Sequence, residues 1–295
     1  MPTVIDIRTL NSQPFIFLPV YIDGTGPYNF VLDTGAGISL ITKDLAGNLQ
    51  IKDARIKEAL GAGSRRINVL VGQVGSISVG SSMVENINIG IMDALPQCIG
   101  QGIIGYDFLK HYVLTIDYPH DKLTLTAPEE EKNDGKLLQA SLRFRFARPD
   151  RPVILVDVLV NARSTFQFVL DTGASQTIIS PVIARQMGIK STDVDAIVGA
   201  GGSFAAFAGT LDSLRVGDAL LEKVEVVVSD IFSPLSLAAG TGMDGILGHN
   251  VLRNFTVIID YPNERILLQK ERLPLRYRPE TMLNNKPIHL YNVPH

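Results

Sequence analysis

Two aspartates stand in identical surroundings, Phe30-Val31-Leu32-Asp33-Thr34-Gly35-Ala36 and Phe168-Val169-Leu170-Asp171-Thr172-Gly173-Ala174. The copies lie 138 residues apart (171 − 33). In each, Val-Leu suits a buried strand, and Thr-Gly suits a tight turn, because glycine accepts backbone angles closed to other residues. Each carboxylate is therefore expected at the end of a buried strand, in a loop held by the core. A single copy would read as an aspartate bonded to its own turn. Two copies on equivalent units are related by a pseudo-two-fold axis, and loops near that axis bring the carboxylates within a few ångströms of each other. Like charges that close share one proton. One group then serves as general base toward a water and the other as general acid toward a carbonyl. That chemistry is direct water attack on an amide, with no covalent intermediate, metal or cofactor.

The duplication extends beyond the acid loops. Gly61-Ala62-Gly63 matches Gly199-Ala200-Gly201 at the same offset. Ile103-Ile104-Gly105 matches Ile246-Leu247-Gly248, and Ile116-Asp117-Tyr118-Pro119 matches Ile259-Asp260-Tyr261-Pro262, now at an offset of 143 (248 − 105). The second copy has thus gained five residues between these landmarks. So long a period with only two copies means a duplicated domain and not a solenoid. The run PEEEKNDGK at 128–136 has linker composition. It separates an N-terminal lobe, 1–127, from a C-terminal lobe, 137–270, and leaves a tail, 271–295, without a counterpart in the first copy.

Within each lobe the texture is β. FIFLPVYI and VILVDVLV are apolar runs of strand length, and GSISVG and DSLRVG alternate. YVLTIDYPHDKLTLT and FTVIIDYPNERILLQ each read as two strands joined by a turn. Only PVIARQMG, KDLAGNL, YDFLKHY and HNVLRNF invite short helices.

The composition is that of a globular chain with ample core: 295 residues, 45% hydrophobic, 19% charged. A net charge of −3 without a basic run argues against nucleic acid as partner. Cys98, the single cysteine, cannot form an intrachain disulfide, and its apolar setting reads as a structural thiol. The N-terminus lacks the basic and apolar regions of a leader, and no stretch reads as a membrane helix. A soluble protein is expected, cytoplasmic as given, or periplasmic or secreted if a leader has been removed.

The chain resembles the aspartic peptidases, and each lobe resembles a retropepsin. Three features per copy carry the resemblance: the apolar-apolar-Asp-Thr-Gly-Ala loop, a Gly-rich segment about thirty residues later, and the closing motif, IIGYD or ILGHN. It implies an all-β, bilobal acid-protease fold of two closed barrels about a pseudo-two-fold axis. Asp33 and Asp171 would be the catalytic dyad. Thr34 and Thr172 would bond across the lobe interface, while Gly35 and Gly173 would let backbone approach the carboxylates. Gly61, Ala62 and Gly63, and Gly199, Ala200, Gly201 and Gly202, would tip two flaps over a peptide or protein substrate. No metal or cofactor is implied, and a monomer would form the site from its own two lobes. The tail segment PIHLYNV would add a strand to the sheet joining the lobes; by composition it reads equally as a loose tail.

The sequence departs from the family at Gly37 and Ser175, where retropepsins place an acid, and at Tyr106 and His249, where they place an arginine. Both partners of that support are missing together, and neither flap contains a tyrosine. Pepsins follow Asp-Thr-Gly with a hydroxyl residue that stabilises the charged carboxylate. Ala36 and Ala174 supply none, so the expected optimum is mildly acidic to near neutral. Two G-x-G-x-x-G matches, at 100–105 and 240–245, fall out of register between the lobes and lack a βαβ context. The remaining rival is a silent lobe pair that binds peptide without cleaving it.

Overall fold

A computed structural model of the chain describes residues 1–7, 14–51, 55–60, 66–93, 95, 99–128, 141–148, 151–199, 202–232 and 242–270. The glycine-rich residues 61–63, 200 and 201, Cys98, linker residues 129–136 and the tail 271–295 lie outside this set.

The first copy contributes β1 (Thr3–Asp6), β2 (Phe17–Ile22), β3 (Thr25–Leu32), β4 (Leu40–Thr42), α1 (Lys43–Asn48), β5 (Arg55–Leu60), β6 (Arg66–Val79), β7 (Ser82–Met92), β8 (Gly102–Ile104), α2 (Tyr106–Leu109), β9 (Val113–Asp117) and β10 (Lys122–Thr126). The second contributes β11 (Leu142–Arg143), β12 (Arg145–Arg148), β13 (Arg151–Val160), β14 (Ser164–Leu170), β15 (Ile178–Ile179), α3 (Pro181–Met187), β16 (Thr192–Gly199), β17 (Gly202–Val216), β18 (Ala219–Val228), β19 (Gly245–Leu247), α4 (His249–Leu252), β20 (Thr256–Asp260) and β21 (Arg265–Gln269).

Local chemistry sets these elements. Helix α3 starts where Ser180 Oγ accepts the Ile183 N–H, with Pro181 preset for the first turn, and stops at Gly188 in the left-handed region, φ +64°. Thr42 caps α1 in the same way. In the β9–β10 hairpin, Asp117 accepts the N–H of His120, and the turn closes on Asp121 with φ +53°. Strand β2 alternates buried and exposed residues, as a strand with one face in a core must.

Each copy closes on itself. In the first, β2, β3, β8, β4, β7 and β6 pair in sequence, and β6 pairs back to β2. In the second, the ring is β13, β14, β19, β15, β18, β17 and back to β13. The described residues are thus mostly β, with two closed barrels, one from each copy. The β5–β6 and β16–β17 hairpins extend from the rings; the second reaches its outermost described pair at Gly199 and Gly202. The lengthening of the second copy lies between β18 and β19, where 229–244 replaces 93–101.

A third sheet, in the order β1-β10-β9-β20-β21-β11, draws on both copies. Its centre is the antiparallel pair β9–β20, in which Thr115 faces Ile258. These are equivalent residues at the offset of 143, so the pseudo-two-fold axis passes through that pair. One buried cluster runs through both lobes and this sheet, including Leu32, Leu114, Ile116, Leu170, Val257 and Ile259. Each such side chain contributes about 1.5–3 kcal/mol on burial.

Candidate active site

Strands β3 and β14 run parallel to β8 and β19, and each delivers its aspartate at the C-terminal end. The pairing continues one residue further: the Asp33 N–H donates to the Ile104 carbonyl (3.0 Å) and the Asp171 N–H to the Leu247 carbonyl (3.1 Å). The chain then turns. Asp33 Oδ1 accepts the N–H groups of Gly35 (2.8 Å) and Ala36 (3.0 Å), and Asp171 Oδ1 accepts that of Gly173 (2.8 Å). Each carboxyl is aimed by its own turn.

The two loops lock to each other. Thr34 Oγ1 donates to the Leu170 carbonyl (2.9 Å) and accepts the Thr172 N–H (3.1 Å). Thr172 Oγ1 returns both bonds, to the Leu32 carbonyl (2.8 Å) and from the Thr34 N–H (3.1 Å). All four bonds are buried and cross the lobe interface. A Cβ at Gly173 would fall 2.6 Å from Asp33 Cγ, so only glycine lets the second loop come this close to the first carboxyl.

Asp33 and Asp171 are both wholly buried. Burial, followed by the negative charge of Asp171, holds Asp33 well above the ordinary carboxylate range, against the lowering effect of its turn N–H bonds. Burial likewise raises Asp171, opposed by the Gly173 N–H and by the hydrogen bond from Asp33. Asp33 Oδ2 is buried and has no hydrogen-bond partner among the described residues. Burial thus works against ionisation of both carboxyls, and at Asp33 the neighbouring carboxylate adds to it.

A second layer fixes the loops from behind. Ser39 donates through N–H (2.8 Å) and Oγ (2.6 Å) to Asp107 Oδ1, while its Oγ accepts the Gly105 N–H (3.1 Å). In the other lobe the Thr177 N–H donates to Asn250 Oδ1 (2.7 Å), and Thr177 Oγ1 accepts the Gly248 N–H (3.1 Å). Each set ties the segment after the dyad turn to the closing motif. Sequence reasoning passed over these four side chains, although matched offsets of 138 for Ser39/Thr177 and 143 for Asp107/Asn250 mark them.

Aromatic packing occupies the region of the missing acid–arginine support. Tyr106 lies edge-on to Phe146 (5.3 Å) and Tyr261 (5.8 Å), both from the second lobe. His249 lies edge-on to Tyr118 of the first lobe (5.4 Å). Its imidazole is lowered to about 4 by burial and by Arg253, and is neutral at physiological pH. Gly37 faces Pro152 across the interface at ordinary contact distance. Of the flap glycines, Gly199 and Gly202 sit opposite each other at the end of the β16–β17 hairpin; Gly61, Ala62, Gly63, Ala200 and Gly201 lie outside the described residues. Among the described residues, no three His, Cys, Asp or Glu side chains form a group that could hold a metal ion.

The sequence profile of a family described as Aspartyl protease matches residues 18–108 and again 156–251, well over half of the chain. The chain belongs to the aspartyl protease family. Each match spans one acid loop and one closing motif of the chain. A comparison with curated proteins finds no match. Among solved structures, a retropepsin-like aspartic protease from Rickettsia conorii is similar at 17% identity and a TM-score of 0.36, covering 42% of this chain and 91% of its own. No helix among the described residues is long and apolar enough to cross a membrane.

Proposed function

We propose that the chain is an aspartic endopeptidase in which Asp33 and Asp171 are the catalytic dyad, formed by the two lobes of one monomer, 1–127 and 137–270. The observation that carries this reading is the buried carboxyl pair, clamped by four reciprocal threonine bonds and raised on both sides by burial. A pair used only as turn caps would need neither the cross-lobe approach nor the shared proton.

In the reaction, a water between the carboxyls gives a proton to ionised Asp171 as its oxygen attacks the scissile carbonyl carbon. Protonated Asp33 gives its proton to the carbonyl oxygen, so a neutral gem-diol forms. Asp171 then protonates the amide nitrogen and Asp33 recovers a proton from one diol hydroxyl as the C–N bond breaks. Acid and amine leave, and the dyad returns to its starting state. Thr34, Gly35, Thr172 and Gly173 hold the geometry, and Gly199 and Gly202, with the glycine-rich residues beside them, supply flaps over the peptide. Both carboxyls are raised, which favours a mildly acidic to near-neutral optimum.

Digestion of a mixed peptide library from pH 3 to 8, with and without a statine-type transition-state analogue, tests the reading. Cleavage should be blocked by the analogue, and should fall by about a thousandfold or more in Asp33→Asn and in Asp171→Asn. Peptide binding without cleavage at any pH would overturn it.

A further inference from the structure

Behind the dyad loops lie two tyrosines that this reaction leaves unused. Tyr118 and Tyr261 follow the aspartates that end β9 and β20, the central pair of the shared sheet. The Tyr118 ring packs on His249, whose backbone N–H donates to the Ala174 carbonyl (2.8 Å) in the Asp171 loop. The Tyr261 ring packs on Tyr106, whose N–H donates to the Ala36 carbonyl (2.8 Å) in the Asp33 loop. Each tyrosine therefore reaches from its own lobe to the aspartate loop of the other.

Both hydroxyls are buried, and neither has a hydrogen-bond partner among the described residues. Phenylalanine would fill the same space without leaving a buried hydroxyl unsatisfied, yet the chain carries the hydroxyl in both copies. Burial raises both phenols, and the charge of Asp171 raises Tyr118 further, as that of Asp33 does Tyr261. The other titratable groups packed here are His249, held neutral, and Tyr106. Arg253 acts on His249, and Glu264 acts on Tyr106, over whose ring Lys110 sits.

We propose that Tyr118 and Tyr261 are positioning residues of the dyad: each turns its O–H toward the aspartate of the opposite lobe, through a bridging water molecule, and stabilises the singly ionised pair. This rests on Asp33 and Asp171 being the catalytic carboxyls. Two such donors, one per aspartate, take the place of the hydroxyl that Ala36 and Ala174 lack, and they act from behind the loops instead of from the substrate side.

The test uses Tyr118→Phe and Tyr261→Phe in the full chain, singly and together. Tyr112→Phe is the control, since that hydroxyl donates to the Met83 carbonyl (2.9 Å) and is outside the site. Two readouts are taken: the pH profile of kcat and KM on a cleaved peptide, and the carboxyl-carbon NMR titration of Asp33 and Asp171. Each variant should move the acidic limb and the titration upward by about half to one pH unit, lowering kcat on the acid side about three- to tenfold with KM unchanged. The control should move neither. An unchanged titration with only a lower Tm would overturn the proposal, as would an equal shift in the control. If the wild type cleaves no peptide, the catalytic reading fails, while the NMR titration still decides the role of the hydroxyls. Should one variant not fold, the other decides.

Discussion

Asp107 offers a sharp test of the physical reasoning, because the second lobe already contains its neutral replacement. Asn250 accepts the Thr177 N–H through Oδ1 (2.7 Å) and donates from Nδ2 to the Glu225 carbonyl (2.8 Å). The frames around the two residues match: the Gly90 N–H bonds to the Ser39 carbonyl (2.8 Å) where the Val227 N–H bonds to the Thr177 carbonyl (2.9 Å). At Asp107, however, the bonds from Ser39 and Phe108 all converge on Oδ1, and Oδ2 is buried with no hydrogen-bond partner among the described residues. Burial, outweighing those bonds, lifts this carboxyl to about 6. In Asp107→Asn a neutral amide nitrogen takes the buried Oδ2 position, so the site carries no titrating group.

The sign follows from linkage. The folded state holds the Asp107 proton up to about pH 6, whereas the unfolded chain releases it near its ordinary value of about 3.9. Between those values the folded state binds more protons, so this group's contribution to stability is full below about pH 4 and is lost as pH rises through about 6. Two pH units correspond to about 3 kcal/mol, and partial exposure of the side chain reduces this to about 1–3 kcal/mol. Asparagine does not titrate. Urea unfolding of both proteins at pH 4, 5, 6 and 7.5 isolates the effect, because the dyad's own pH dependence is common to both. The variant should gain about 1–3 kcal/mol on the wild type between pH 4 and 7.5. A difference independent of pH, or one that moves against the variant as pH rises, would refute the argument.

Thr34→Val keeps the side chain's shape but strips the Leu170 carbonyl and the Thr172 N–H of their buried partners; urea unfolding should show a loss of about 2–4 kcal/mol. Thr172→Val should cost a similar amount, and the double variant less than the two together, since the four bonds form one network. Gly173→Ala puts a methyl 2.6 Å from Asp33 Cγ, and peptide turnover should fall by about a hundredfold or more; undiminished cleavage would show that the loops do not meet in this way. Ala36→Ser returns a donor to the Asp33 turn and should move the acidic limb of the rate profile down by about half a pH unit, read from kcat/KM against pH.

The dyad was legible because its surroundings are local and written twice: strand, aspartate and turn lie within seven residues. Helices α1 and α3 were legible for a similar reason, their caps being adjacent in sequence. Less legible was whatever depends on partners far along the chain. The β9–β20 pairing joins two hairpins that each read as complete, and nothing in either names the other as its neighbour. The Ser39–Asp107 and Thr177–Asn250 ties span 68 and 73 residues. The departures at Tyr106 and His249 were visible only as a loss. Their replacement needs Phe146 and Tyr261 from the second copy and Tyr118 from the first, residues that read in isolation as ordinary strand and turn positions.

Fusion of the lobes explains where the copies are alike and where they differ. A homodimer must use the same residue on both sides of its axis; a single chain need not. Near the axis the constraint is mutual, since each Thr bonds to the other loop, and here the seven residues are identical. Where a contact closes within one lobe, the copies have diverged in step. Leu40 reaches into the space beside Gly90, where a Cβ would fall 2.4 Å from its Cδ2, whereas the second lobe places Ile178 and Val227 at these positions. Asp107 with Ser39 and Asn250 with Thr177 show the same pairwise change. The most consequential divergence is Tyr106 against His249, because both touch a tyrosine behind the dyad: it gives Tyr261 and Tyr118, and the aspartate loops they back, unequal neighbours.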